Sequence, residues 1–390
     1  MDPHDPTAKR FPLIARFRPA CLPLPDRVQS LAALATKAAC QNDQVLASAV
    51  HNQAALTASD LGLPELAREM CHQHAAAYLP FSPLPAMSTI HALEPVVNLA
   101  RLHIRAGRTD DARQHLLDLH EAVRSGAAAV LDGITVPADL TATLDDRQEV
   151  HAWLWRVLLA DGTRTLTATG RWNEALAHIE KHRGVGRRML DGRQVAVLAA
   201  LTTEDTHHAF ELLADTAAGD PWEQLVTKCL TVLCRREADQ PVDDQLTELV
   251  DTYFGRAAEA GFTVFDIRLG LTILDALGSA EHPASIPLAH HLTYRTAEAQ
   301  DGYAAREILG HPLAVSLATD RQVEDCRELV RLCALGAGTV SDEVRHGLSA
   351  ALHTSSTVII RSLTEGGAGD GRGGSTSAAG VHHCLDVTSK

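Results

Sequence analysis

Asn98–Leu117 reads NLARLHIRAGRTDDARQHLL. Apolar residues recur at helical spacing up to Ile104. Gly107 interrupts the run, and Asp110-Asp111-Ala112 opens a second helical run. Each part has a physical role. The periodicity supports two helices. Glycine can end a helix in a left-handed turn. Acidic residues are favoured at the start of the next helix by its dipole, and alanine is small enough to sit where two helices cross. Working outward, the same pattern recurs in Ala55–Cys71, ALTASDLGLPELAREMC, and in Gly162–Ile179, GTRTLTATGRWNEALAHI. Gly62, Gly107 and Gly170 each stand five residues before an alanine, Ala67, Ala112 and Ala175, and Ala209 takes the equivalent place in a fourth hairpin. The expected fold is all-α, a right-handed superhelical solenoid of such hairpins.

Composition bounds the function. The chain has 390 residues, 45% of them apolar but only 4% aromatic. Ala and Leu dominate, which suits many small helix–helix contacts better than an aromatic-lined pocket. Arg outnumbers Lys thirty to five, a bias expected of a GC-rich genome. A net charge of −14 argues against direct nucleic-acid binding. No leader pattern opens the sequence and no apolar run is long enough to span a bilayer, so a cytoplasmic location and no membrane partner are expected. The eight cysteines are scattered without a CxxC, and most stand in apolar helical runs as small hydrophobes.

Residues 1–25 carry six prolines together with Lys9, Arg10, Arg16 and Arg18. They read as a basic, disordered arm, with Phe11, Leu13, Ile14 and Phe17 as its apolar anchors. Two helical regions are expected, 26–217 and 218–364. Residues 365–390 are rich in Gly and Ser and are expected to be disordered. Strand is expected almost nowhere; Thr357–Ile360 is the one stretch that could form it.

The Gly/Ala pairs, with Leu116, Ile179 and Cys71 one turn beyond, resemble the tetratricopeptide-repeat superfamily over about half the chain. The spacing from Ala175 to Ala209 equals that family's period of about 34 residues. The likeness is greatest to the divergent helical-repeat proteins of GC-rich bacteria, often joined to a DNA-binding helix-turn-helix in regulators, and no segment of this sequence reads as such a helix-turn-helix. The large aromatic usual at the family's fourth position is Val96, Leu159 or His51 in this chain. The resemblance implies that the first helix of each pair lines a groove for an extended peptide or a helix. Transferred to this sequence, the groove positions are Asn52, Ser59 and Asp60, then Glu94, Arg101 and Arg105, then Arg164 and Thr167, then Asp191 and Gln194. The implied function is non-enzymatic protein or peptide binding in a regulatory or scaffolding role, with no cofactor, and a homodimer is compatible with it.

Other clusters give the alternatives. Lys181–Arg193, KHRGVGRRMLDGR, gathers Arg183, Arg187, Arg188 and Arg193 near two glycines, which suits a small anionic ligand and a ligand-responsive sensor. The competing reading is a solvated inter-repeat loop with cations near a helix C-terminus. Asp145–Glu149, DDRQE, and Asp243–Asp251, DDQLTELVD, resemble the magnesium-binding pair of class I terpene synthases. Acidic residues at helix starts, and too few aromatics, favour a structural role. Histidine is frequent, with 21 residues. Cys71 and His74 lie at i, i+3, and His207-His208, His290-His291 and His382-His383 are adjacent. No single segment supplies three ligands, so no metal is expected. No catalytic signature is present.

Overall fold

The computed structural model describes residues 1–367, and it is almost wholly helical. In chain order the helices are α1 (Leu24–Gln41), α2 (Gln44–Asp60), α3 (Pro64–Tyr78), α4 (Ala86–Arg105), α5 (Thr109–Ser125), α6 (Leu144–Val157), α7 (Thr163–Thr167), α8 (Trp172–Lys181) and α9 (Asp191–Thr202). They continue as α10 (Thr206–Ala214), α11 (Pro221–Glu237), α12 (Asp243–Phe254), α13 (Thr263–Leu277), α14 (Ser285–Ala299), α15 (Gly302–Leu309), α16 (Pro312–Leu317), α17 (Asp320–Leu332) and α18 (Asp342–Gly367). Strand does occur, at a place the sequence did not suggest. β1 (Ala129–Leu131) and β2 (Ile134–Val136) form an antiparallel hairpin around Asp132-Gly133. Thr357–Ile360 lies inside α18. The tail expected after 365 falls almost entirely outside the described residues.

The hairpin turns carry the fold. Gly62, Gly107 and Gly170 have φ of 78°, 76° and 74°, the left-handed region that costs glycine least. Ala67, Ala112, Ala175 and Ala209 are all 0% exposed. Three further hairpins use the same geometry without glycine. Asn42, Glu204 and Gln300 take positive φ, and the residues five beyond them, Ala47, Ala209 and Ala305, are buried. Each of these three is followed by an aspartate, Asp43, Asp205 or Asp301, whose side chain caps the next helix. The cap offsets part of the cost of a side chain in the left-handed region.

The chain divides into two compact units that interleave in sequence. One contains Pro23–Thr165 together with 334–367; the other contains Met1–Leu22 with Leu166–Cys333. This differs from the contiguous division expected at residue 217. In the 23–165 unit, α18 returns to pack on α1, α2 and α3. Its core joins Leu31, Val50, Leu93, Val96 and Leu99 to Leu348 and Leu352. A linear stack of hairpins places neighbours beside neighbours, whereas this unit is closed by a helix from far along the chain.

The 166–333 unit includes residues 1–22, which are packed rather than disordered. Phe11 and Leu13 are each 2% exposed. The segment turns through a short 3-10 helix at Ala8–Arg10 and then runs on without helix to residue 23, because its prolines forbid a long helix while its polar backbone groups find partners. The Trp172 indole N–H donates to the Pro3 carbonyl at 3.1 Å. Arg18 N–H donates to the Gly261 carbonyl at 2.7 Å, and Cys21 N–H to Asp301 Oδ1 at 3.1 Å.

Candidate functional site

The groove positions read from the sequence separate into two places. Asn52, Asp60, Glu94, Arg101 and Arg105 come together on α2 and α4 of the 23–165 unit. Asn52 Nδ2 donates to Glu94 Oε2 at 2.6 Å, and Asn98 Nδ2 donates to Asn52 Oδ1 at 3.0 Å. Arg101 donates to Asn98 Oδ1 at 3.0 Å and, through Nε and Nη2, to Asp161 Oδ2 at 3.0 and 2.8 Å. Asp60 pairs with Arg27 at 2.8 Å and with Arg105 at 3.2 Å. Asp60 and Asn52 are buried, at 4% and 7% exposure. This is a polar seam whose donors and acceptors satisfy one another, not an open groove. Arg164 stands half-buried on α7 of the same unit.

Histidines continue the seam inward. His51 and His74 stack with ring centroids 4.7 Å apart, and Tyr78 meets His74 edge-on. Burial lowers His51 to about 4 and holds His74 well below the ordinary imidazole range, so both rings are neutral. Cys71 and His74 therefore serve the core, as do the thiols of Cys71 and Cys229, which burial pushes up to about 12.

Asp191 and Gln194 lie on α9 of the 166–333 unit, and their partner is the chain itself. Gln194 is 0% exposed. Its Oε1 accepts from Leu13 N–H at 2.7 Å and its Nε2 donates to the Leu13 carbonyl at 2.8 Å. One amide side chain thus satisfies both main-chain groups of one residue. Asp191 pairs with Arg16 at 3.3 Å. Arg10 pairs with Asp275, which also accepts from Thr7 Oγ1 at 3.0 Å and lies 2.8 Å from His311 Nε2.

The arginine cluster is largely committed to carboxylates of its own unit. Arg187 pairs with Asp215 at 2.6 Å. Arg188 pairs with Asp220 at 2.7 Å and with the buried Glu223. Arg193 is not in the loop but on α9, 5% exposed, donating to the Leu212 carbonyl at 2.6 Å. Arg183 is exposed and makes no ion pair among the described residues. The neutralising partners, Asp215 to Glu223, lie beyond α10 and carry no local sign of the pairing.

The acidic clusters open α6 and α12, which belong to different units. Asp146 forms a capping box with Thr143 and accepts from Ala86 N–H at 2.8 Å. Asp145 and Asp243 are exposed at helix starts. Each unit thus holds one of the two acidic clusters. A hollow lined by Val123, Val136, Leu140 and Arg147 has room for about one water molecule, far less than the ~300–1,000 Å³ usual for small-molecule sites.

Comparison with family models, curated proteins and solved structures finds no match. No helix among the described residues is long and apolar enough to cross a membrane.

One group of metal-ligating side chains converges that no single stretch of sequence announces. His103, His115 and Asp132 place one ligand atom each within 4.8 Å of one another. They come from α4, α5 and the β-hairpin tip. An Asp-Gly pair makes the tip, a turn signal that the sequence reading passed over, and its meeting with two histidines depends on the packing.

Proposed function

We propose that this is a non-enzymatic protein of tetratricopeptide-like helical hairpins that recognises extended peptide segments, in a regulatory or scaffolding role. The observation that supports it is the Gln194 clamp on Leu13. An extended segment lies across helices at positions that the family resemblance assigns to peptide binding. A side-chain amide reads its backbone, while Phe11 and Leu13 fill apolar sites. Backbone capture with apolar anchors is a recurring mode of peptide recognition. Here residues 1–22 act as a ligand in cis, so a partner segment of similar character competes with them. The alternative, a sensor for a small anion, is less well supported, since Arg187, Arg188 and Arg193 already have acceptors.

The test uses a labelled peptide of residues 8–18 and the full-length chain carrying Leu13→Asp to loosen the arm. The loosened chain is expected to bind the peptide saturably, and the parent chain much more weakly. Adding Gln194→Ala should weaken binding by about 1–3 kcal/mol, roughly 5- to 150-fold, because buried main-chain groups lose their partner. A folded Leu13→Asp protein with no saturable binding would overturn the proposal.

A further inference from the structure

We propose that His103, His115 and Asp132 form a mononuclear transition-metal site suited to Zn²⁺. Three elements of the 23–165 unit deliver the ligands: the last turn of α4, the second turn of α5 and the tip of the β1–β2 hairpin. Their ligand atoms lie within 4.8 Å of one another, and His103 Nε2 is 2.7 Å from Asp132 Oδ2. The two imidazole rings are tilted by 56° with centroids 6.1 Å apart. The rings therefore do not stack on one another.

Polar-group accounting gives the independent argument. His115 is 7% exposed, and its Nε2 has no hydrogen-bond partner. A buried ring nitrogen left unpaired costs free energy, and a metal ion accepts its lone pair. The hairpin supplies the third ligand at some conformational cost. Asp132 has φ of 51° and Gly133 has φ of 84°, so the turn holds a non-glycine residue in the left-handed region. The ladder pairs Leu131 with Ile134, both buried, and this fixes the aspartate above α4 and α5.

The ligand set selects the ion. Two imidazoles and a carboxylate suit zinc and its neighbours, whereas magnesium and calcium prefer oxygen ligands throughout. Three protein ligands leave a fourth position for water. The Asp132 side chain is 20% exposed, so the site reaches solvent on that edge. Arg68 Nη1 lies 3.0 Å from Asp132 Oδ2. It orients the carboxylate as outer-shell partners do, and it yields that oxygen when the cation binds. The His103–Asp132 contact opens slightly at the same time, since a bound ion separates its ligand atoms by more than a hydrogen-bond distance.

The experiment strips the full-length chain with a chelator and titrates it with Zn²⁺ alone and, separately, with Co²⁺ alone. The expected result is one tight equivalent of Zn²⁺ and visible Co²⁺ absorption of low-coordinate type. His115→Ala should abolish the Co²⁺ spectrum and weaken Zn²⁺ binding at least 100-fold, with the helical circular dichroism retained. Asp132→Asn serves the same purpose if His115→Ala does not fold. An identical spectrum and affinity in either folded variant places the ion at another of the chain's histidines and overturns the proposal. So does the absence of tight binding by the parent chain.

Discussion

At the scale of single residues, His51 shows how burial turns an ordinary side chain into a determinant of pH stability. It packs face to face with His74, and its Nε2 lies 3.1 Å from Ser356 Oγ on α18. Burial lowers it from 6.5 to about 4. The folded state therefore binds fewer protons than the unfolded state between those values. Its contribution is complete above pH 6.5 and is lost as the pH falls toward 4. The loss is on the order of 3 kcal/mol for this ring, with His74 acting in the same direction. Urea melts from pH 7 to 4 should show a shallower acid decline for His51→Gln than for the parent chain. An unchanged slope would mean that His51 titrates normally in the folded state.

At the scale of elements, the hairpin turn is the unit of construction, and two glycines separate its costs. A Cβ at Gly107 would meet nothing within 4 Å, so Gly107→Ala carries only the left-handed backbone penalty, about 1 kcal/mol. A Cβ at Gly170 would lie 2.8 Å from the Pro3 carbonyl oxygen and from His4 Nδ1. Gly170→Ala should therefore cost at least twice as much and should shift Trp172 fluorescence as the Pro3 contact breaks. Equal urea midpoints for the two variants would show that the arm does not rest against this turn. The same turns show what was legible in the sequence. Hairpins marked by glycine could be read directly, because glycine is the residue most often used for that backbone conformation. The turns at Asn42, Glu204 and Gln300 could not, since a side chain can occupy the left-handed region when an aspartate caps the following helix. Of the groove positions implied by the family resemblance, Asn52 and Glu94 meet directly, and Arg101 joins them through Asn98, whereas Asp191 and Gln194 lie in the other unit. The burial of the seam was not legible, because a polar face satisfied by its neighbours has the same periodicity as one satisfied by water. The docking of residues 1–22 was also hidden. Proline density excludes helix, but it does not distinguish a free arm from an extended one held by Gln194.

At the scale of the whole molecule, the extended segment is a structural part of the 166–333 unit, and its removal is testable. Replacing Phe11 and Leu13 by Asp forfeits about 1.5–3 kcal/mol of apolar burial at each position. Hydrogen exchange followed by mass spectrometry should show lost protection in peptides from 166–333, with peptides from 24–157 retained. Uniform loss across both sets would contradict the division into two units. Retained protection throughout would restore the expectation that residues 1–25 are a disordered arm.

The return of α18 onto α1, α2 and α3 has a consequence during synthesis. The faces of α1 and α2 that α18 covers leave the ribosome well before the helix that covers them. In the interval the whole of 166–333 must be translated. At about 5–20 residues per second, the early helices wait many seconds with Leu31 and Val50 uncovered by Leu348 and Leu352. The segment 1–22 waits as well, for α8 and α9. Neither unit can be finished in the order in which it is made. A nascent chain stalled before residue 342 would present an apolar face suited to capture by a chaperone.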